Sequence, residues 1–307
     1  MKKHLVQYGI AVLGMLIFGL SFVWVKEAFV AYRPLAVVFV RLVLVGVLLD
    51  VLARLRGQNQ RILPGDRKWF ALLAFFDPFM LFLGESHGMN LVSPTLGSVV
   101  ICTIPLVTPA FAWLFVKERI TRWGVLGLVV SFVGILATVW DEGIGGGSLT
   151  GVGLLFIAVL AVVGYSLLVK TLAGRYSPLF IVKTICQLAV LYFLPLFLIF
   201  ELKPMLATPP HAGAILAILK LTVLVSGLAY VCLAATIRNL GINNTNLFTF
   251  LIPVAATIYS HFRLGTGIGP GTVVGILLVG GGIAVSQAPL MRRGWRQRRG
   301  AQPPGMM

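Results

Sequence analysis

The stretch that decides the fold is Thr103–Leu136, TIPLVTPAFAWLFVKERITRWGVLGLVVSFVGIL, because it recurs. Shifted by 148 residues it lies over Leu251–Ala284, LIPVAATIYSHFRLGTGIGPGTVVGILLVGGGIA. Ile104, Pro105, Val125, Gly127, Gly134 and Ile135 then fall on Ile252, Pro253, Val273, Gly275, Gly282 and Ile283. Matched Val or Ile is cheap in apolar sequence. A matched proline and two matched glycines in one register are not. Each copy is a long apolar run, a short turn and a second, glycine-spaced apolar run. Duplication at so long a period marks a chain built from two structural repeats.

Composition sets the solvent. The 307 residues are 58% hydrophobic and 11% charged, with a mean hydropathy of +0.97. A soluble domain carries about a quarter of its residues as charges, so the expected class is an all-α, multi-pass protein of the cell membrane. A span needs about 20 mostly apolar residues. Ten candidates occur, near Leu5–Val25, Leu35–Ala53, Trp69–His87, Thr95–Val116, Arg122–Trp140, Leu149–Lys170, Pro178–Phe200, Gly213–Thr236, Leu247–Leu264 and Pro270–Ala288. The first lacks a cleavage site of the small-x-small type and reads as an uncleaved span. Asp141-Glu142-Gly143 reads as a turn between the fifth and sixth.

The net charge of +16 resides in short loops, which argues against a nucleic-acid partner. With the N-terminus inside, eighteen of the 25 Lys and Arg fall in inner segments, four in outer ones and three within spans. Cytoplasmic loops collect Lys and Arg, so both termini are expected in the cytoplasm, which requires an even number of spans. Five spans lie on each side of the Gly-rich segment 143–147, so the two halves enter the membrane in opposite senses, as inverted repeats. The turn holding Lys117, Glu118, Arg119 and Arg122 then faces inside. Its counterpart, with Gly265, Thr266, Gly267 and Pro270, faces outside and lacks basic residues. The expected units are residues 5–140, residues 149–288 and a basic disordered cytoplasmic tail over residues 289–307.

Five plus five spans, with Ile104-Pro105 and Ile252-Pro253 opening the paired segments, resemble the EamA-like branch of the drug/metabolite transporter superfamily. Phe115-Val116-Lys117-Glu118-Arg119, followed by Gly127 and Gly134, carries most of the likeness in the first half. Lys117 stands where a usual member has glycine, and Thr266 where the second half often has Glu. The resemblance implies a secondary transporter of small organic solutes (amino acids, metabolites or amphiphilic drugs), often directed outward, and not an enzyme. It also places substrate contacts near the entries to spans 4 and 9.

Ionisable groups inside spans cost roughly 2.5–3.5 kcal/mol at the centre on insertion scales, so each is a functional candidate. Glu85 and Asp77 on span 3 and Arg41 on span 2 form the richest set, with Glu85 and Arg41 expected at similar depth. They line a solute cavity, or they form a structural ion pair locking two helices; Asp77-Pro78 can also simply mark a kink. Lys183 lies near a span end and is expected to snorkel to the headgroups, whereas Lys220 sits deeper. His87 reads as a gate or interface residue. Trp24 and Tyr165, with Ser21 and Ser166, suit a pocket for an organic solute, or Trp24 belongs to the interfacial belt. Asn243 and Asn244 are contacts at the entry to span 9 or an ordinary polar loop. Pro105 and Pro253 are helix breaks beside the cavity.

No His or Cys arrangement has metal-ligand spacing. Cys102, Cys186 and Cys232 all sit in apolar runs, so neither metal, cofactor nor disulfide is expected. No phosphate-binding loop of the Gly-x4-Gly-Lys-Ser/Thr type occurs. The alternatives to a carrier are an intramembrane enzyme and a channel. The glycine-rich helix faces let backbones approach closely, as packing or as a dimer face. The expected partners are a small-molecule solute, membrane lipid and a second copy in a homodimer.

Overall fold

Backbone polar groups in hydrocarbon must be satisfied within the chain, and here helices alone do so. In the computed structural model the described residues are 2–116, 121–143, 146–240 and 242–300, and no strand occurs among them. Nine apolar helical segments among these residues are long enough to cross a membrane. They are α1 (Val6–Phe29), α2 (Pro34–Leu55), α3 (Pro64–Leu91), α4 (Pro94–Phe111), α5 (Arg122–Asp141), α6 (Gly147–Leu168), α7 (Pro178–Ala207), α8 (Ala212–Ile237) and α9 (Thr245–Leu264). A tenth, α10 (Pro270–Ser286), is apolar but shorter. Ten expected spans thus resolve into nine of full length and a short one. Its helix continues to Gly300. The turn at Lys117–Arg119 and part of the Gly-rich segment lie outside the described residues.

The most extensive helix pair is α5 against α10. The four glycines matched by the 148-residue shift meet across it in crossed pairs, Gly134 with Gly275 and Gly127 with Gly282. A Cβ on Gly275 would stand 2.6 Å from the Gly134 carbonyl oxygen, and one on Gly134 would stand 2.7 Å from that of Gly275. Gly127 and Gly282 oppose each other in the same way. Only hydrogen side chains permit this backbone approach. The glycine-rich faces thus serve packing within the chain at Gly127, Gly134, Gly275 and Gly282. Asp141 closes the same seam. It lies inside α5, not in a turn, and accepts from the Thr272 and Gly271 backbone N–H groups at 2.9 and 3.3 Å and from the Thr272 hydroxyl at 2.6 Å. A carboxylate there satisfies the orphan donors of the α10 N-terminus.

Elsewhere α1 packs on α8 and α9, α2 on α7, and α3 on α6. The largest buried cluster draws Phe22, Leu96, Leu155, Ala256 and Ile283 from α1, α4, α6, α9 and α10.

Polar ties join the segment 50–71 to 175–192 at one end of the bundle. Arg175 donates to Asp66 at 3.0 Å, Tyr176 to the same carboxylate at 2.9 Å, and the Ser177 N–H to Gln60 at 2.8 Å. Lys183 belongs here and does not snorkel. It is buried, its Nζ lying 3.1 Å from Asp50 and 2.7 Å from the Asn59 side-chain oxygen. Breaking one partner of a buried pair leaves an uncompensated charge, whereas removing both leaves none. Asp50→Asn is therefore expected to lower the thermal midpoint of detergent-solubilised protein, and Asp50→Asn/Lys183→Met to recover most of the loss. A double variant no better than the single one would mean that the pair does not carry the stability.

Candidate functional site

Span 2 carries its cation into the bundle. Arg41 lies seven residues from Pro34 and Glu85 six from Leu91. At about 1.5 Å per residue the two sit at matching depth, about 10 Å inside the same face. They do not pair: among the described residues no ion pair joins Arg41 to Glu85 or Asp77. Arg41 is buried, with its guanidinium carbon 4.8 Å from the Phe82 ring centroid and one terminal nitrogen donating to Ser226 Oγ at 3.4 Å. Its Nε is buried and has no hydrogen-bond partner. A buried guanidinium with a spare donor is costly unless something else occupies that direction.

Asp77 and Glu85 are both half-buried and lie within electrostatic range of each other and of Arg41. Asp77 departs from helical geometry (φ −137°, ψ 115°) inside the π-helical turn Phe75–Met80. This frees its carboxylate from the ordinary helix face. Ser226 sits in a second π-helical stretch, Leu221–Ala229. Such stretches put an extra residue into a turn and re-aim side chains, often at functional sites. Tyr230 is within range of Asp77, Glu85 and Arg41, and Tyr165 within range of Asp77. Cys186 on α7 completes the ring around Asp77 and Arg41. The constellation thus draws on α2, α3, α6, α7 and α8. It offers one fixed cation, two carboxylates and aromatic faces in an apolar bundle. That set can hold an anionic oxygen and an ammonium of one solute together.

Trp24 packs in a cluster with Val37, Val225 and Ala229. It is 5% exposed, donates from Nε1 to the Tyr259 hydroxyl at 3.4 Å, and has Lys220 Nζ 5.7 Å from its ring. It is therefore a core residue and no interfacial belt residue. His87 Nδ1 bonds the Leu83 carbonyl at 2.9 Å. The side chains of Asn243 and Asn244 lie outside the described residues.

Pro105 and Pro253 lie just after breaks in α4 and α9. The helix Pro94–Ile101 gives way before Ile104–Val116, and Ile242–Phe248 before Leu251–Leu264. Proline lacks the N–H that would bond the carbonyl four residues back. For Pro253 that carbonyl belongs to Thr249, and it accepts instead from Ile252 N–H at 3.0 Å and from Cys102 Sγ at 3.2 Å. The two breaks thus meet. No group of three or more His, Cys, Asp or Glu that could hold a metal occurs among the described residues.

Sequence reasoning missed Ser226, Tyr230, Cys186 and Phe82. Each is an ordinary residue in an apolar run, and only the fold brings it to Arg41. A serine or tyrosine mid-span was the one available signal.

The model of the EamA-like transporter family matches residues 6–140 and 149–287. An uncharacterized transporter of Bacillus subtilis (strain 168), YyaM, is 28% identical over 202 residues, covering 62% of this chain and 64% of that protein. An uncharacterized transporter of Archaeoglobus fulgidus is 25% identical over 179 residues, covering 58% of this chain and 61% of that protein. The aligned part thus spans less than two thirds of the length of either relative. A crystal structure of another protein superposes with a TM-score of 0.66 at 16% identity, covering 94% of this chain and 98% of that one, and supports the helical fold alone. With the family's model covering nearly the whole chain, and nine full-length apolar helices among the described residues, this multi-pass membrane protein belongs to the EamA-like transporter family.

Proposed function

We propose that the chain is a secondary carrier that exports small organic solutes by alternating access, through a site built on Arg41, Asp77 and Glu85. The observation that carries the reading is the buried Arg41 guanidinium with an unpartnered Nε, within electrostatic range of two half-buried carboxylates inside an apolar bundle. Membrane-embedded charges at such cost mark solute or ion pathways. A carboxylate or phosphate oxygen of the solute fits Nε, an ammonium fits Glu85 or Asp77, and Phe82, Tyr165 and Tyr230 offer faces to an organic body. Zwitterions meet that demand in full, and a cationic amphiphile meets its carboxylate half.

The carrier is two inverted five-helix halves, residues 5–140 and 149–288, with both termini in the cytoplasm. Support comes from the 148-residue match, from the Lys/Arg bias of the loops and from the reciprocal facing of Gly134 with Gly275. Polar ties between the halves stand at both ends of the bundle. Asp66–Arg175 and Asp50–Lys183 hold one end, and Glu27–Arg263, 2.9 Å apart, holds the other. In alternating access one set opens while the other holds.

The test begins with a thermal-shift screen of amino acids and small amphiphiles on purified protein. Counterflow of each stabilising solute is then measured in proteoliposomes. Solute accumulated against its gradient by counterflow supports the carrier. Flux without counterflow points to a channel, and a hydrolysed product without net transport to an enzyme. Where Glu85 carries the coupling proton, Glu85→Gln abolishes pH-driven transport and leaves solute exchange intact. If exchange falls with it, or neither changes, Glu85 has no proton role.

A further inference from the structure

Gln187 is an exposed polar side chain inside the apolar segment Pro178–Ala207. It lies nine residues into α7 from Pro178, about 14 Å by helical rise, near the middle of a hydrocarbon core about 30 Å thick. Its side chain is exposed, and its amide has no hydrogen-bond partner among the described residues. Around it the exposed residues are hydrocarbon: Leu191 further along α7, and Val43, Val47 and Val51 on α2. Lipid tails offer an amide neither donor nor acceptor, so an isolated amide at this depth is costly.

The surroundings leave the amide open to a neighbour. Gly46 stands opposite it, where even a Cβ would lie 3.7 Å from Gln187 Cγ. A groove of about 260 Å³ runs there between α2 and α7, lined on its α2 side by Val43, Gly46, Val47, Val51 and Asp50, whose carboxylate is held by Lys183. The three valines recur every four residues and form one straight ridge of short side chains, which permits close approach of another helix.

We propose that this α2/α7 face is where two copies of the chain meet, paired through Gln187. A carboxamide holds a donor and an acceptor in one plane. Two of them related by a two-fold axis therefore satisfy each other, N–H to C=O in both directions. No different residue is needed on the partner, which is what an isologous interface requires. The glycine-rich α5/α10 seam is already filled from within the chain.

The test uses the full chain in its native membrane. The three native cysteines are buried, so wild type serves as the background control. Val47→Cys and Val43→Cys, oxidised with copper phenanthroline, are expected to give a disulfide-linked dimer. Leu126→Cys, on the exposed face of α5, is expected to give none. In nanodiscs, with one fluorophore per chain, wild type is expected to bleach in two steps and Gln187→Leu mainly in one. Gln187→Leu replaces a lipid-exposed amide by an apolar side chain, and its folding is checked by an unchanged thermal midpoint. Equal cross-linking at Leu126→Cys, or single-step bleaching of wild type, overturns the proposal. So does two-step bleaching that Gln187→Leu leaves unchanged, because the amide then has no part in it.

Discussion

Gly275→Leu is expected to leave little monodisperse protein after extraction, because its side chain has nowhere to go. Its Cβ alone would stand 2.6 Å from the Gly134 carbonyl oxygen and crowd the Thr138 hydroxyl. The obstacle is backbone, so no rotamer change relieves it, and the α5/α10 seam must part. Overpacking a well-filled interior costs about 1–3 kcal/mol, and more where backbone must shift. Even Gly275→Ala is therefore expected to lower the thermal midpoint clearly, and Leu to go further. Gly281→Leu is the control. It lies on the same helix, is exposed, and has no atom within 4 Å of where its Cβ would stand. Its yield and midpoint should stay at wild-type values. Size-exclusion profiles of fluorescent fusions across a temperature series read both. Equal damage from the two substitutions would mean that glycine is needed in α10 for its backbone and not for the seam.

That seam is the most legible part of the fold, since a glycine at a packed helix crossing repeats wherever the crossing repeats. Gly127, Gly134, Gly275 and Gly282 can be found in the string, although not the fact that they face each other. Arg41, Asp77 and Glu85 are legible for a different reason. A charge in an apolar run is visible without knowing any neighbour, and helical rise alone places Arg41 and Glu85 at one depth.

What escapes is everything that depends on partners distant in sequence. Lys183 reads as a snorkelling side chain because that rule considers one helix and its nearest headgroups. Asp50 and Asn59, 133 and 124 residues away, capture it instead. Trp24 reads as pocket material or as interfacial from its place near a span end, and the fold buries it beside Tyr259 and Lys220. Asp141 stands before Glu142-Gly143 and resembles a turn, yet it caps a helix 130 residues on. Ser226 and Tyr230 are hidden by the π-helical stretch Leu221–Ala229, which shifts the side-chain register relative to a regular 3.6-residue period.

Arg41→Ala is expected to remove most solute binding while the protein still folds. The side chain ties α2 to α8 through one hydrogen bond, 3.4 Å long, and to α3 through the Phe82 ring. Neither contact is a main support of the bundle. Its larger role is as the fixed cation beside Asp77 and Glu85. A hydrogen bond to a charged group is worth about 1.5–3 kcal/mol, which is roughly 10–100-fold in affinity at 1.4 kcal/mol per tenfold. Counterflow of an anionic or zwitterionic solute should therefore fall by about that factor, and that of a purely cationic solute much less. Arg41→Lys separates charge from geometry. Lysine keeps a cation in place but has no planar fork and no Nε donor at that position. Carboxylate-bearing solutes should therefore recover only in part. Full recovery with lysine would show that the unpartnered Nε is not what the solute meets, and that Arg41 acts only as a counter-charge for its two carboxylates.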